Sequence, residues 1–583
     1  MSALTTVLGI LSTAFLTFLF IKWVLQTKGK RYPRGPMGLP VVGHLPFFGR
    51  HPPSTFMKWW KSYGNVFSIR LGSWNTVVVN GYKAIKVAAE HPNDTFSGKP
   101  NFVSTEVSAE RIHEDVFAFG NFSPVYLKQR NLASKALRLF TSKRKDVIEE
   151  LVTNEAVAFA DSLIRKYSTN PGYIEIEVQT LVVRIIYQFL YGRGKQVDVD
   201  RHVEIIYREI EEFNEFTGSG SAIDVLPWLR YIMPWKVDAL RKIIAKADDI
   251  MWKQVQEHYE SFSADHICLN RIYFARGFMK ITQYEMGIGA DTTSITLLWL
   301  ILYMTKFPQI QERVFAEINT VIGKSRNVEL KDKPNLFETA RELSSANNLD
   351  TLTKSSAYII NVPVSHLWAR SRKIRANVSL ALQTKTGTLV PPVDTASKTL
   401  LWLILYMTKF PQIQERVFAE TKTVIGKSRN VELKDKPNLV YTNAVILEVM
   451  RIVTQVPFSL PHFSMTNAKI EGLDVDTAVL FNLYSIHHEK EFWGDPEYFR
   501  PERFILGDNT LDSDKCNHVL AFGLGRRRCV GEFLAKMNVF LAFSIVMQRC
   551  KFIKPPGERL GLSPLPRLVY TCKEFKVLVQ ERK

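Results

Sequence analysis

Phe522-Gly523-Leu524-Gly525-Arg526-Arg527-Arg528-Cys529-Val530-Gly531 sets one cysteine among glycines and arginines, directly before a segment of strong helical period, Glu532–Met547. A thiolate is stabilised near a helix N-terminus by the dipole and by free backbone N–H groups. Gly525 and Gly531 permit tight backbone around the sulfur. Arg527 and its neighbours supply cations for an acidic cofactor edge. Cys529 alone would read as a small buried hydrophobe; the ten-residue pattern is what marks it. Glu448 and Arg451 stand three apart, on one helix face, where an ion pair can form. Asp291 and Thr292 follow Gly287 and Gly289. A helical Thr hydroxyl can bond the carbonyl four residues earlier and open a local gap, and the glycines tolerate a kink. The same pair also suits a helix cap.

These residues need a frame. Val66–Leu71 and Thr76–Val79, around Gly72-Ser73-Trp74-Asn75, predict a β-hairpin. Lys128–Phe140, Lys145–Lys166, Val203–Phe213 and Val237–His258 have helical period. The fold class is therefore mainly α with small β-sheets. With 583 residues, 46% hydrophobic and 23% charged, the composition is globular and excludes a disordered chain. Five cysteines, Cys268, Cys516, Cys529, Cys550 and Cys572, are too scattered for a disulfide framework and fit reduced thiols in a cytosol-facing domain. A net charge of +19 could suggest nucleic acid, but the basic residues are interleaved with acids and no nucleic-acid motif occurs. A solvated basic surface, or a docking face for an acidic protein or for anionic membrane lipid, fits better.

Leu4–Ile21 carries no charge, and with Trp23, Val24 and Leu25 it is long enough to span a bilayer as one helix. Lys22, Lys28, Lys30, Arg31 and Arg34 follow it and none precedes it, which puts the rest of the chain in the cytoplasm. A cleaved signal peptide fits less well, because no basic region precedes the apolar run and no small-residue site ends it. The expected organisation is a transmembrane anchor at 1–25, a basic and Pro-rich hinge at 26–40, and a catalytic domain at 41–583.

Within that domain, residues 291–336 recur as 394–439. Of these 46 positions 42 are identical, the exceptions being Thr293/Ala396, Ile295/Lys398, Ile318/Thr421 and Asn319/Lys422. A solenoid would need several diverged units. Residues 337–393, between the copies, have weak periodicity and read as a non-native insert, as if two alternative coding segments had been joined with non-coding sequence between them. The first copy follows Met286-Gly287-Ile288-Gly289-Ala290, which a helix accommodates. The second follows Pro391-Pro392-Val393, which forbids a helix from continuing into it. Downstream, the second leads directly into Val440-Tyr441-Thr442-Asn443 and the Glu448 motif.

The motifs together resemble a cytochrome P450, a haem-thiolate monooxygenase: FxxGxRxCxG with Phe522, Gly525, Arg527, Cys529 and Gly531, ExxR with Glu448 and Arg451, and Phe499-Arg500-Pro501-Glu502-Arg503-Phe504 in the expected order. The resemblance implies the P450 fold as a single catalytic domain, haem b as cofactor and Cys529 as the axial thiolate. It further implies a buried triad of Glu448, Arg451 and Arg503. Arg130 and His462 would meet the haem propionates, with Tyr126 where the family usually has Trp. His462 could equally be a satisfied core histidine. Phe522 would lie near the thiolate, and Asp291 and Thr292 would deliver protons, with Ile288 where a small residue is usual. The implied reaction hydroxylates a lipophilic small molecule, steroid-like or aromatic, with O2 and two electrons from an NADPH-dependent reductase. The implied address is the endoplasmic reticulum membrane, through a single N-terminal span. Phe96-Ser97-Gly98-Lys99-Pro100, Ser123-Pro124-Val125-Tyr126 and Glu257-His258-Tyr259-Glu260-Ser261-Phe262 resemble the branch containing steroid 17-alpha-hydroxylases and aryl-hydrocarbon hydroxylases. The alternatives are a haem protein without turnover, its distal site disturbed by the duplication, and a haem-thiolate isomerase, against which Asp291-Thr292 argues.

Overall fold

The computed structural model describes residues 32–112, 120–138, 141–142, 145–191, 221–245, 391–426, 428–567 and 569–582, with residues 13, 14 and 17 besides. The chain divides into two compact units, residues 1–269 with 386–583, and residues 270–385. Every described residue belongs to the first. The expected anchor, apart from three positions, lies outside the described residues, as do Val203–Phe213, Asp291, Thr292 and the whole first copy of the repeat. Among the described residues no helix is long and apolar enough to cross a membrane.

The longer helices are α1 (Pro52–Tyr63), α2 (Tyr82–Ala89), α3 (Val103–Ile112), α4 (Pro124–Arg138), α5 (Lys145–Tyr167), α6 (Glu175–Tyr191), α7 (Pro391–Lys409), α8 (Pro411–Ile425), α9 (Val440–Val453) and α10 (Glu532–Arg549). The strands are short: β1 (Val66–Leu71), β2 (Trp74–Val79), β3 (Gly172–Tyr173), β4 (His462–Phe463), β5 (Ala468–Ile470), β6 (Leu473–Val475), β7 (Ala478–Phe481), β8 (Cys550–Ile553) and β9 (Lys576–Glu581). One sheet has the order β1-β2-β7-β4, a second β3-β9-β8, and β5 pairs with β6. The hairpin forms with a tighter turn than its sequence suggests. Leu71 pairs with Trp74 across Gly72 and Ser73, and Gly72 turns at φ +57°, where glycine has no steric penalty. β2 and β7 run parallel, with Val78 opposite Leu480, and β4 joins β7 with His462 opposite Val479.

The second copy of the repeat forms α7 and α8. Pro391 and Pro392 do not obstruct α7; they begin it, in the first turn, where a missing N–H costs no hydrogen bond. α7 is buried from Ser397 to Thr408, as a helix apolar on all sides must be, and it packs against α6, α9 and α10. Two of the four differences between the copies fall on fully buried positions. Lys398 and Thr421 are 0% exposed, where the first copy has Ile295 and Ile318. The Thr421 hydroxyl can only bond back to the Val417 carbonyl (2.9 Å), while a buried ammonium carries a desolvation cost. Isoleucine at both sites would remove that cost and add apolar surface to the core. The double variant Lys398→Ile, Thr421→Ile is therefore expected to raise the urea midpoint of the full chain. An unchanged or lower midpoint would mean that these sites prefer the second copy's residues.

Candidate haem site

The cysteine loop is shaped by backbone. Phe522 O accepts the Cys529 N–H (2.9 Å) and Gly525 O that of Arg528 (3.2 Å). Gly525 has φ +68°, and a Cβ there would stand 2.2 Å from the Ala89 carbonyl oxygen at the end of α2. Only glycine satisfies both conditions. Gly531 caps α10, and a Cβ on it would come to 3.9 Å from Cys529 Sγ, so the sulfur lies beside a helix N-terminus. The first residue of that helix, Glu532, bonds Arg528 (2.6 and 2.8 Å) and Lys536 (2.7 Å). Cys529 is exposed, but the protein walls around it still desolvate the sulfur. That desolvation raises the thiol pKa; the Gly531 N–H, Arg130 and Arg528 oppose it and Glu532 adds to it. Left to itself the thiol keeps its proton, and metal coordination would remove it.

Beside the loop lies a basic cradle. Arg527 donates from Nε to Ser97 O (2.8 Å) and from Nη2 to Gly120 O (2.7 Å). His462 is buried on β4, its Nδ1 2.8 Å from Phe96 O. Lys99 is 6% exposed and its Nζ donates to Leu460 O (3.1 Å). Residues 96–99 reach β4 because Phe463 N bonds Gly98 O (2.9 Å); a Cβ at Gly98 would sit 2.7 Å from Phe463 O. Arg130 Nη2 donates to Arg528 O (2.6 Å), which ties α4 to the cysteine loop. Tyr126 braces both arginines. Its hydroxyl accepts from Arg130 Nη1 (3.3 Å) and its ring lies 4.0 Å from the Arg527 guanidinium carbon.

The electrostatics of this cradle are one-sided. Lys99 is held well below its ordinary pKa, first by desolvation and then by the like charge of Arg527. His462 is pushed well down by desolvation and then by Lys99, with a further push from Arg527. Lys99 and Arg527, like charges set against one another, favour an anionic ligand, and such an anion would let His462 take up the proton that its surroundings otherwise deny it. Among the described residues no cluster of His, Cys, Asp and Glu could hold a bare metal ion. A single sulfur beside an anion cradle suits a metal carried in a ring that bears carboxylates.

Glu448 and Arg451 are fully buried and Arg503 nearly so. Arg451 donates to Glu448 from Nε (2.7 Å) and Nη2 (2.9 Å), and to His487 O (2.7 Å) and Pro496 O (3.0 Å). Arg503 Nε reaches Glu448 Oε1 (3.1 Å), its other nitrogens reach the carbonyls of Trp493, Asp495 and Tyr498, and Arg500 N–H also bonds Glu448 (2.9 Å). The ion pairs are thus completed by carbonyls, as buried charge requires.

His487 links this triad to the cysteine loop, and nothing in its spacing marked it beforehand. Its carbonyl accepts from Arg451, its Nδ1 lies 2.9 Å from Thr454 Oγ1, and its Nε2 accepts the Leu520 N–H (2.9 Å), two residues before Phe522. Burial, then Arg451 and His518, lower its pKa from 6.5 to about 3. The fold therefore holds it neutral, while an unfolded chain would take up a proton below pH 6.5. Its contribution to stability is complete above that pH and is lost as pH falls toward 3, by about 2 kcal/mol at pH 5. Urea titrations at pH 7 and 5 should show this loss, and His487→Asn should flatten the slope. An unaltered slope in the variant would place the acid sensitivity elsewhere.

Residues 33–337 and 383–579 match the family described as Cytochrome P450. The chain belongs to the cytochrome P450 family. Among similar proteins, this P450 is 28% identical to cytochrome P450 1A1 of Rattus norvegicus over 97% of this chain and 94% of that one. It is 27% identical to cytochrome P450 1A1 of Felis catus over 97% and 96%. The identity to cytochrome P450 1A2 of Rattus norvegicus is 28%, over 95% and 93%. Membership makes the chain a monooxygenase that uses haem with a cysteine thiolate as axial ligand. The sulfur, the helix N-terminus and the basic cradle described above fit that group.

Proposed function

We propose that Cys529 supplies the thiolate and that Arg130, Arg527, His462 and Lys99 hold the haem carboxylates. The observation that carries this reading is the basic cradle next to the one cysteine, among the described residues, that is set in a glycine-bracketed loop. Phe522 and Gly525 fix that loop, and Glu448, Arg451 and Arg503 brace it from the core. Bound there, haem supplies dioxygen activation and insertion of one oxygen atom into a C–H bond. The chain keeps the sulfur aimed, neutralises the carboxylates and passes protons inward. The proton-passing pair is Asp291 and Thr292. The burial of Lys398 and Thr421 supports that choice, because the first copy would put isoleucine at both positions. The packing of α7 supports a second assignment, to Asp394 and Thr395. Thr292→Ala and Thr395→Ala separate the two: only the variant in the working copy should consume NADPH without forming product.

The substrate is lipophilic, steroid-like or aromatic, in keeping with the similarity to cytochromes P450 1A1 and 1A2. Electrons come from an NADPH–cytochrome P450 reductase. Exposed Lys128, Lys135 and Arg138 on α4, with exposed Arg526 and Arg528, support an acidic partner next to the cysteine loop. A membrane address in the endoplasmic reticulum, with residues 1–25 as anchor, is supported by the uncharged run Leu4–Ile21. Exposed aromatics at Trp228, Tyr231 and Trp235 also favour it. A non-native insert at 337–393 is supported by the gap in the family match at residues 338–382. Incubating the haem-loaded chain with reductase, NADPH and a mixed panel of steroids and polycyclic aromatics tests the activity. Hydroxylated product is expected only when all components are present. NADPH-independent product, or a bound panel without product, would overturn it.

A further inference from the structure

His518 ends the short helix Ser513–His518, two residues before the Leu520 N–H that His487 holds. Its imidazole stacks on the Phe492 ring, with centroids 3.6 Å apart and planes 10° from parallel, and on the Tyr82 ring at 4.3 Å and 18°. Two rings cannot share one face at those separations, so they cover both faces of the imidazole. Trp493 meets its edge at 6.2 Å. Aromatic pairs of this kind are worth more than the area they bury, and they converge here on one half-buried side chain.

The partners come from the parts of the fold that must stay in register around the sulfur. Tyr82 begins α2, and α2 ends at Ala89, whose carbonyl oxygen leaves room only for glycine at position 525. Trp493 lies against the triad: its ring is 5.2 Å from the Arg451 guanidinium carbon, and its Nε1 donates to Ile486 O (2.8 Å). After His518, Val519 packs with Trp493 and Phe504, and Leu520 packs on the cluster that holds Ala84 and Ile85 of α2. Two residues later the Phe522 carbonyl holds the Cys529 N–H. His518 therefore stands where the triad, α2 and the start of the cysteine loop meet. A helix of one or two turns has little stability of its own, so the stack fixes where the loop begins. A site keeps its geometry only when its supporting side chains are themselves locked. We infer that His518 is a positioning residue for the axial thiolate: clamped between Tyr82 and Phe492, it sets the start of the cysteine loop and keeps the Cys529 sulfur aimed. The clamp needs an aromatic ring and not a titrating one. This rests on the reading of Cys529 as axial ligand and extends the set of residues that hold it.

The carbon-monoxide spectrum of the reduced, haem-loaded full chain tests the inference, because a displaced sulfur exchanges the long-wavelength Soret band for a short-wavelength one. His518→Leu keeps the bulk and loses both ring contacts; the ratio of short- to long-wavelength band should rise about tenfold, the worth of two stacked pairs. Tyr82→Leu and Phe492→Leu each remove one face and should each raise it about threefold. His518→Phe keeps both faces and should leave the ratio unchanged. Val577→Ala, at a fully buried site on β9, is the control for lost stability: it should lower the urea midpoint without changing the ratio. An unchanged ratio in His518→Leu, or a rise as large as that variant's in His518→Phe or Val577→Ala, would overturn the inference and leave the reading of Cys529 intact. Where His518→Leu yields no haem protein, an unchanged ratio in both single-face variants overturns it equally. An unaltered chain without the long-wavelength band would remove that reading and this inference with it.

Discussion

Glu448→Gln is expected to yield no recoverable haem protein. The Glu448 carboxylate receives two bonds from Arg451, one from Arg503 and one from the Arg500 backbone. Both guanidinium groups are buried beside it. A neutral amide offers one acceptor oxygen and turns two donors toward those cations. Breaking a buried pair by removing one partner costs about 3–5 kcal/mol, against a net stability of about 5–15 kcal/mol for a folded domain. The loss reaches the haem site through His487 and Leu520. Soluble yield, haem content and urea midpoint measure it. Glu502→Gln is the control, because the Arg416–Glu502 pair lies half-exposed at the surface and such pairs contribute about 0–1 kcal/mol. A Glu448→Gln chain as stable as that control would contradict the role given to the triad.

Cys529→Ser should separate chemistry from folding. The side chain is exposed, and the loop is held by backbone bonds at Phe522 and Gly525 rather than by sulfur packing. The urea midpoint of the haem-free protein should therefore not move. A serine hydroxyl does not ionise in this range and lacks the soft donation that favours O–O cleavage. Reductase-dependent product should fall to background, and the carbon-monoxide spectrum should lose its thiolate character. Retention of either would place the axial ligand elsewhere.

The cysteine loop and the triad were legible because each is a local pattern whose spacing carries its geometry. What escaped was assembled across sequence distance. Lys99 joins the cradle through the bridge between Gly98 and Phe463, and His487 joins the triad to the loop through a bond to Leu520; neither pairing has a local signature. Tyr126 could be seen as a departure from Trp, but not that one ring would brace two arginines. The two prolines that open α7 look like a barrier in the sequence because the same residues that stop a helix from upstream also start one downstream. Burial then distinguishes what near-identity between the copies had hidden: Lys398 and Thr421 are fully buried at positions where the first copy has isoleucine.

The carbon-monoxide difference spectrum of the purified, reduced 583-residue chain reports on the iron ligand itself. One haem per chain is expected, with the long-wavelength Soret band of a thiolate-ligated iron, absent from Cys529→Ser. A colourless chain after haem supplementation, or the shorter-wavelength band of nitrogen-ligated haem in the unaltered protein, would contradict it.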